Sequence, residues 1–308
     1  MIGPNGAGKT TTIRIVMSIL FPDSGAVRVL GKDSALKSKD RIGYLPEERG
    51  LYKKMKVGAF LAYVARLKGL DAPEARRRAN DWLARLELGD VARKKSEELS
   101  KGMQQKIQFA SALIHDPDVL ILDEPFSGLD PVNARMLQGF IAERRRAGKT
   151  IIFSTHQMSQ AEALCDRVVM IHAGKKVLDN TPEEIRSRFD PRAVAIDPVG
   201  SVADAERSLR SLAFVSGVIG PDAPNENGGG GAARGGGGRS RQILAQLADG
   251  VSATASLAEL VSVVPATRVE VVRPSLEDVF VEIVQGGSLT PEERVRLLAG
   301  TRGDSSGD

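Results

Sequence analysis

The sequence predicts an α/β fold with a mostly parallel sheet. Three observations carry that prediction. Short apolar runs at Val119 to Leu122, Ile151 to Phe153 and Val168 to Ile171 have the composition of buried parallel strands. Segments with apolar residues at helical spacing stand between them. The chain also opens on a glycine-rich loop that runs straight into a helix.

The chain has 308 residues, enough for about two domains at roughly 150 residues each. Hydrophobic residues make up 42% and charged residues 27%, an ordinary globular composition that excludes disordered, collagen-like and coiled-coil classes. Lys plus Arg is 43 and Asp plus Glu 39, a formal charge of +4, too small to point to nucleic acid, and none is expected as a partner. One cysteine, Cys165, excludes an internal disulfide and a cysteine-cluster metal site, and fits a reducing cytosol. No apolar run is long enough to span a bilayer, and the first residues carry no signal-peptide pattern. Work at a membrane would therefore need a docking partner.

Gly8 to Leu20 reads as a helix with Ile13, Val16, Met17 and Leu20 on one apolar face. Pro22, Asp23 and Gly25 break it into a turn. Ala26 to Leu30 and Arg41 to Leu45 read as short strands. From Val57 to Ile114 the pattern is helical: Phe60, Val64 and Leu67 share one face, Ala79, Trp82, Leu83 and Leu86 another, and Ile107, Ala110, Ser111 and Ile114 a third. Asp130 and Pro131 pair an N-cap with proline at the first helical position. Gln157 to Leu164 reads as helix. Thr181 with Glu184 three positions on is a capping-box pattern. Beyond it, residues 191 to 285 mix alternating and helical patterns around a glycine-rich insert at 226–240, expected as a flexible loop. A polar tail at 286–308 is expected to be disordered, with one helix candidate at Pro291 to Leu298.

Gly3-Pro4-Asn5-Gly6-Ala7-Gly8-Lys9-Thr10 matches G-x-x-x-x-G-K-[ST] in full. Glycines let the backbone curl so that N–H groups converge on phosphate, and the following helix adds its positive dipole end. Lys9 is suited to the β and γ phosphates, the Thr10 hydroxyl to Mg²⁺, and Thr11 to the α phosphate. Asp123 and Glu124 end the apolar run from Val119, and open α/β sheets bind ligands at the carboxyl ends of their strands. Asp123 is expected to hold Mg²⁺ through water, and Glu124 to orient or deprotonate an attacking water.

Leu99-Ser100-Lys101-Gly102-Met103-Gln104-Gln105-Lys106 lies upstream of the acid pair, Ser127-Gly128-Leu129-Asp130 follows it, and Ser154-Thr155-His156 ends the next strand. This order resembles the ATP-binding subunit of an ABC transporter. Gly43-Tyr44-Leu45-Pro46-Glu47-Glu48-Arg49-Gly50-Leu51-Tyr52 and Pro274-Ser275-Leu276-Glu277-Asp278-Val279-Phe280 resemble its sodium- and drug-exporting (ABC-2 type) branch. The resemblance implies a P-loop NTPase core over residues 1–180, with a helical subdomain at 57–114, and a small α+β accessory domain at 181–285. It implies an ATPase that binds ATP and Mg²⁺ as a head-to-tail dimer, with itself or a paralogue, beside a multi-helix membrane permease. Such a subunit is cytoplasmic and peripheral on the inner face of the membrane. Ser100, Lys101, Gly102 and Met103 would meet the γ phosphate held by the other subunit. Asp130 would link the two sites, and His156 would sense the γ phosphate.

The chain departs from the family pattern in three places. Lys101 and Met103 replace a glycine and a glutamine. Glu47 stands where glutamine is usual; it is expected to reach Mg²⁺ with an added negative charge. The third departure is that two residues precede the phosphate loop where about thirty are usual. The chain is therefore expected to lack sheet edge, core area and a base-stacking aromatic worth roughly 1–3 kcal/mol. Two other readings stay open: a non-hydrolysing, N-terminally truncated fragment, and a soluble ATPase acting on ribosomes or DNA. Elsewhere ordinary roles are expected. His115 reads as a helix cap or surface residue, His172 as structural, and Cys165 and Trp82 as core. Arg76 to Arg78 and Arg144 to Arg146 read as solvated helix faces.

Overall fold

A computed structural model describes residues 1–48, 50–190, 192–221 and 241–284. The expected glycine-rich loop (226–240), the tail (286–308) and the helix candidate at 291–298 lie outside the described residues. The chain divides into two compact units, Met1–Asp179 and Asn180–Asp308.

In the first unit the loop leads into α1 (Lys9–Val16). Strands β1 (Ile42–Leu45), β2 (Val119–Asp123) and β3 (Thr150–Ser154) form a parallel sheet in that order. Between β1 and β2 lie α2 (Val57–Leu67), α3 (Ala72–Arg85) and α4 (Lys101–Leu113). Next come α5 (Pro131–Arg146), between β2 and β3, and α6 (Met158–Leu164). The strands β4 (Val168–His172) and β5 (Lys175–Asn180) pair as a hairpin across Ala173 and Gly174. Every residue of β2 is buried, because both faces of the sheet are covered. Leu120 and Leu122 pack into the cluster built by α2 to α5, and Val119 and Ile121 into the one beneath α1. Within the larger cluster Trp82 meets Phe140 at 5.4 Å, and the Arg85 guanidinium lies 4.7 Å over the indole, tying α3 to α5.

Several expectations are corrected. The first helix stops at Val16 because Ser18 adopts φ 58°, which leaves Ile19 and Leu20 exposed. Ala26 to Leu30 is not a strand: Leu30 and Gly31 form a left-handed turn, and only Val29 and Lys32 bridge across it. Leu67 at the end of α2 is exposed, since no element covers that turn. Ile2 bridges in parallel to both Thr155 and Met170, which puts Met1 and Ile2 between β3 and β4.

The second unit opens with α7 (Pro182–Arg188), capped reciprocally by Thr181 and Glu184. It continues as β6 (Ala193–Pro198), α8 (Val202–Arg210), β7 (Val215–Ile219), β8 (Ile243–Leu247), α9 (Ala253–Val263) and β9 (Ala266–Val271). The antiparallel order β7-β8-β6-β9 is a split βαβ arrangement. Residues from α8 and α9 fill one face with Val194, Ile196, Ile243 and Ala245. Last comes α10 (Leu276–Val284), whose start is fixed by Ser275 and Asp278 bonding to each other.

His115 is neither a surface residue nor a cap. It is buried, and its Nε2–H donates to the Ile42 carbonyl at 3.1 Å while Nδ1 has no partner. Desolvation, with Lys68 and Arg78 nearby, holds its pKa at about 4, below the ordinary 6.5. The fold therefore needs the neutral ring. The stabilisation is complete above pH 6.5 and is lost as pH falls from 6.5 toward 4, by up to about 3 kcal/mol. Urea midpoints measured from pH 7 to 4 should fall more steeply in the wild type than in His115→Gln; parallel slopes would contradict this.

Candidate functional site

The glycine-rich loop sits at the carboxyl end of the parallel sheet, where Ile2 enters between β3 and β4. Gly3 is fixed by close approach: a Cβ there would lie 2.1 Å from the Ile171 carbonyl oxygen. Gly8, at φ 104°, turns the chain into α1 in a conformation that side chains disfavour. Behind the loop, the Gly174 N–H of the β4–β5 turn donates to the Ala7 carbonyl at 3.0 Å. Asn5, Gly6 and Thr11 are exposed, while Pro4, Gly8 and Thr10 are half-buried.

Lys9 is only 6% exposed, and its ammonium donates to the carbonyls of Gly3 at 2.8 Å and Pro4 at 3.1 Å. Its third neighbour is Glu124 Oε1, 3.7 Å away. Glu124, 8% exposed, accepts from His156 Nδ1 through Oε2 at 3.0 Å. A single carboxylate thus lies between the loop lysine and the histidine that ends β3. Glu124 takes φ 49°, an uncommon conformation for a non-glycine residue, where the chain swings out of β2.

Ser154, quoted in the sequence only as part of a motif, organises this acid pair. Its hydroxyl donates to Asp123 Oδ1 and accepts from the Glu124 N–H at 3.2 Å. The signal is register: Asp123 pairs with Ser154 across β2 and β3, and register is not written in local sequence. Asp123 Oδ2 is buried without a hydrogen-bond partner. An orphaned carboxylate oxygen next to a phosphate-type loop suits a hard cation. Among the described residues no cluster of three or more His, Cys, Asp or Glu could enclose a metal, so remaining ligands would come from water, hydroxyl and phosphate oxygens.

The other predicted residues lie apart from this cluster. Ser100 caps α4, accepting from the Met103 N–H at 3.3 Å. Asp130 caps α5, accepting from the N–H groups of Val132 and Asn133 at 3.0 Å, and these bonds lower its carboxyl pKa. The two helix starts are neighbours: a Cβ on Gly102 would lie 3.7 Å from the Asn133 amide nitrogen. Ser100, Lys101 and Asp130 are exposed. Among the described residues, no hydrogen bond or ion pair joins residues 100–103 or Asp130 to the loop. Glu47 is exposed just beyond the carboxyl end of β1, the strand paired with β2.

The family model described as "ABC transporter" matches residues 1–127. An ABC transporter ATP-binding protein of Alkalihalophilus pseudofirmus is 39% identical over 284 residues, covering 92% of this chain and 98% of that protein. This chain belongs to the ABC transporter ATP-binding family. The ATP-binding protein YhaQ of Bacillus subtilis is 46% identical over 196 residues, 64% of this chain and 66% of that relative. Among solved structures, an ATP-binding subunit of an ABC transporter superposes with a TM-score of 0.57 at 32% identity, covering 61% of this chain and 80% of that one. Proteins of this family are ATPases, so the chain is an ATP-driven motor subunit of the ABC type. Ser154→Ala should remove a bond to a buried carboxylate worth about 1.5–3 kcal/mol. Turnover of ATP should fall roughly tenfold to a hundredfold, with the circular dichroism spectrum unchanged; unchanged turnover would remove Ser154 from the site.

Proposed function

We propose that this chain is the motor of an ABC-2 type exporter, working as a head-to-tail dimer with a separate multi-helix permease. The observation that carries the reading is the contact of Lys9, Glu124 and His156 in one chain, while Ser100 and Lys101 lie exposed and Gly102 and Met103 half-buried at the start of α4, apart from that contact. One copy holds half of the phosphate chemistry and offers the other half outward. The second half would come from another copy or a paralogue.

In this reading the loop from Gly3 to Thr11 receives the triphosphate through its N–H groups, and Lys9 exchanges a carbonyl contact for phosphate oxygen. Glu124 orients the attacking water and takes its proton. His156, half-exposed beside Glu124, meets the γ phosphate. Thr10, Asp123 and Glu47 would hold Mg²⁺, which supplies charge neutralisation at the phosphates. From the second copy, Ser100, Gly102 and Met103 bring a hydroxyl, N–H groups and the positive end of α4. Lys101 adds a cation to that face. Asp130, already an N-cap beside Asn133, couples the two faces.

Among the described residues no helix is long and apolar enough to cross a membrane. A separate permease fits that observation and gives the subunit a peripheral place on the cytoplasmic face. The exporting branch is supported by the motif from Gly43 to Tyr52, and by relatives that carry the names Nod factor export ATP-binding protein and linearmycin resistance ATP-binding protein.

Mg²⁺-dependent ATP hydrolysis by the full chain, beside Glu124→Gln, tests the reading. Turnover should rise more than linearly with protein concentration, and fall by at least about 100-fold in the variant. Turnover proportional to protein concentration would argue for a self-sufficient monomer.

A further inference from the structure

The helix that starts at Ser100 carries two glutamines one turn apart, Gln105 and Gln108, both buried under the carboxyl ends of the strands. Gln105 donates through Nε2 to the carbonyl of Pro125, the residue after Glu124, at 2.9 Å. Gln108 donates through Nε2 to the carbonyls of Glu48 at 3.0 Å and Pro46 at 3.4 Å. Those carbonyls flank Glu47 on either side. A glutamine amide has two N–H donors, and here both are directed to the loop that carries Glu47. Gln108 is only 5% exposed, so these bonds are shielded from water. By contrast the Arg14–Glu48 ion pair on the same loop is exposed and 4.0 Å long, a weak tether.

Resting on the reading of Glu47 as a metal-facing carboxylate, we propose that Gln108 is a positioning residue for Glu47. It ties the place of that carboxylate to the helix whose N-terminus carries Ser100 to Met103. A shift of α4 along its axis then drags the 46–48 loop with it. Contact of Ser100 to Met103 with a second nucleotide would thereby be felt at the metal of the chain's own site. Gln105 gives the same helix a parallel hold on the segment after Glu124, so both acidic loops hang from one element. The amide groups of both glutamines bond to the carbonyls of Pro46, Glu48 and Pro125 and not to the phosphate loop, which separates their role from nucleotide binding.

The test uses the full chain with ATP and Mn²⁺ as the probe metal. Electron paramagnetic resonance should show Mn²⁺ binding to the ATP complex weakened about threefold to tenfold in Gln108→Ala. ATP binding in EDTA should stay within twofold of wild type, because no phosphate contact is lost. Gln108→Glu keeps the volume but turns acceptor oxygens toward two carbonyls, and should weaken Mn²⁺ at least as much. In a Glu47→Ala background, Gln108→Ala should add less than twofold. The proposal is overturned by unchanged Mn²⁺ affinity in both Gln108 variants. It is equally overturned by a full loss that persists without Glu47, or by ATP binding in EDTA that falls in parallel. Wild type that binds neither ATP nor Mn²⁺ would overturn the ATPase reading together with this proposal; wild type that binds both, with variants indistinguishable from it, would overturn this proposal alone.

Discussion

The parallel register of β2 with β3 is the constraint on which the site depends. It sets Asp123 against Ser154, so that one hydroxyl holds the first carboxylate and the backbone of the second. From there the chain turns at Glu124 with a left-handed φ, and the carboxylate falls between Lys9 and His156. A slip of one residue would put Asp123 among the apolar side chains and take Glu124 out of reach of the loop lysine. The same pairing is held from both faces, by α1 on one side and by α2 to α5 on the other, so the charged atoms stand on a rigid base.

Buried charge is costly unless each atom has a partner, and this site is organised around that cost. Lys9 directs its ammonium to two loop carbonyls and toward Glu124. One oxygen of Glu124 faces Lys9 and the other the histidine. Two carboxylate oxygens are buried here without a hydrogen bond: Glu124 Oε1, which still has the Lys9 ammonium 3.7 Å away, and Asp123 Oδ2. The outward-facing residues behave differently. Ser100 and Asp130 serve as helix caps, so their positions are fixed by bonds within their own chain.

Local sequence disclosed the parts of the fold that local physics decides. The loop from Gly3 to Thr10, the continuous apolar β2, the Asp130-Pro131 helix start and the Thr181–Glu184 capping box all follow from backbone geometry and nearest neighbours. What stayed hidden depends on partners distant in the chain. Leu20 and Leu67 lie at apolar positions by period, yet nothing covers them, because periodicity names a face and not its partner. Ala26 to Leu30 has strand composition but lacks a neighbouring strand to pair with along its length. His115 looks like a surface residue in sequence, and is buried because Ile42 presents a carbonyl from β1. Ser154 and Gln108 gain their significance only through contacts with residues 31 and 60 or more positions away.

The central claim is that one chain holds the loop, lysine and carboxylate, and a second copy completes the site. Sedimentation velocity of Glu124→Gln with Mg²⁺ and ATP measures this directly, since in the proposed dimer a site that cannot hydrolyse its nucleotide would keep the two copies together. A species of twice the monomer mass that appears only with ATP, and is absent when Lys9→Ala is added, is the predicted result. A monomer that binds ATP at saturation without changing mass would contradict the account.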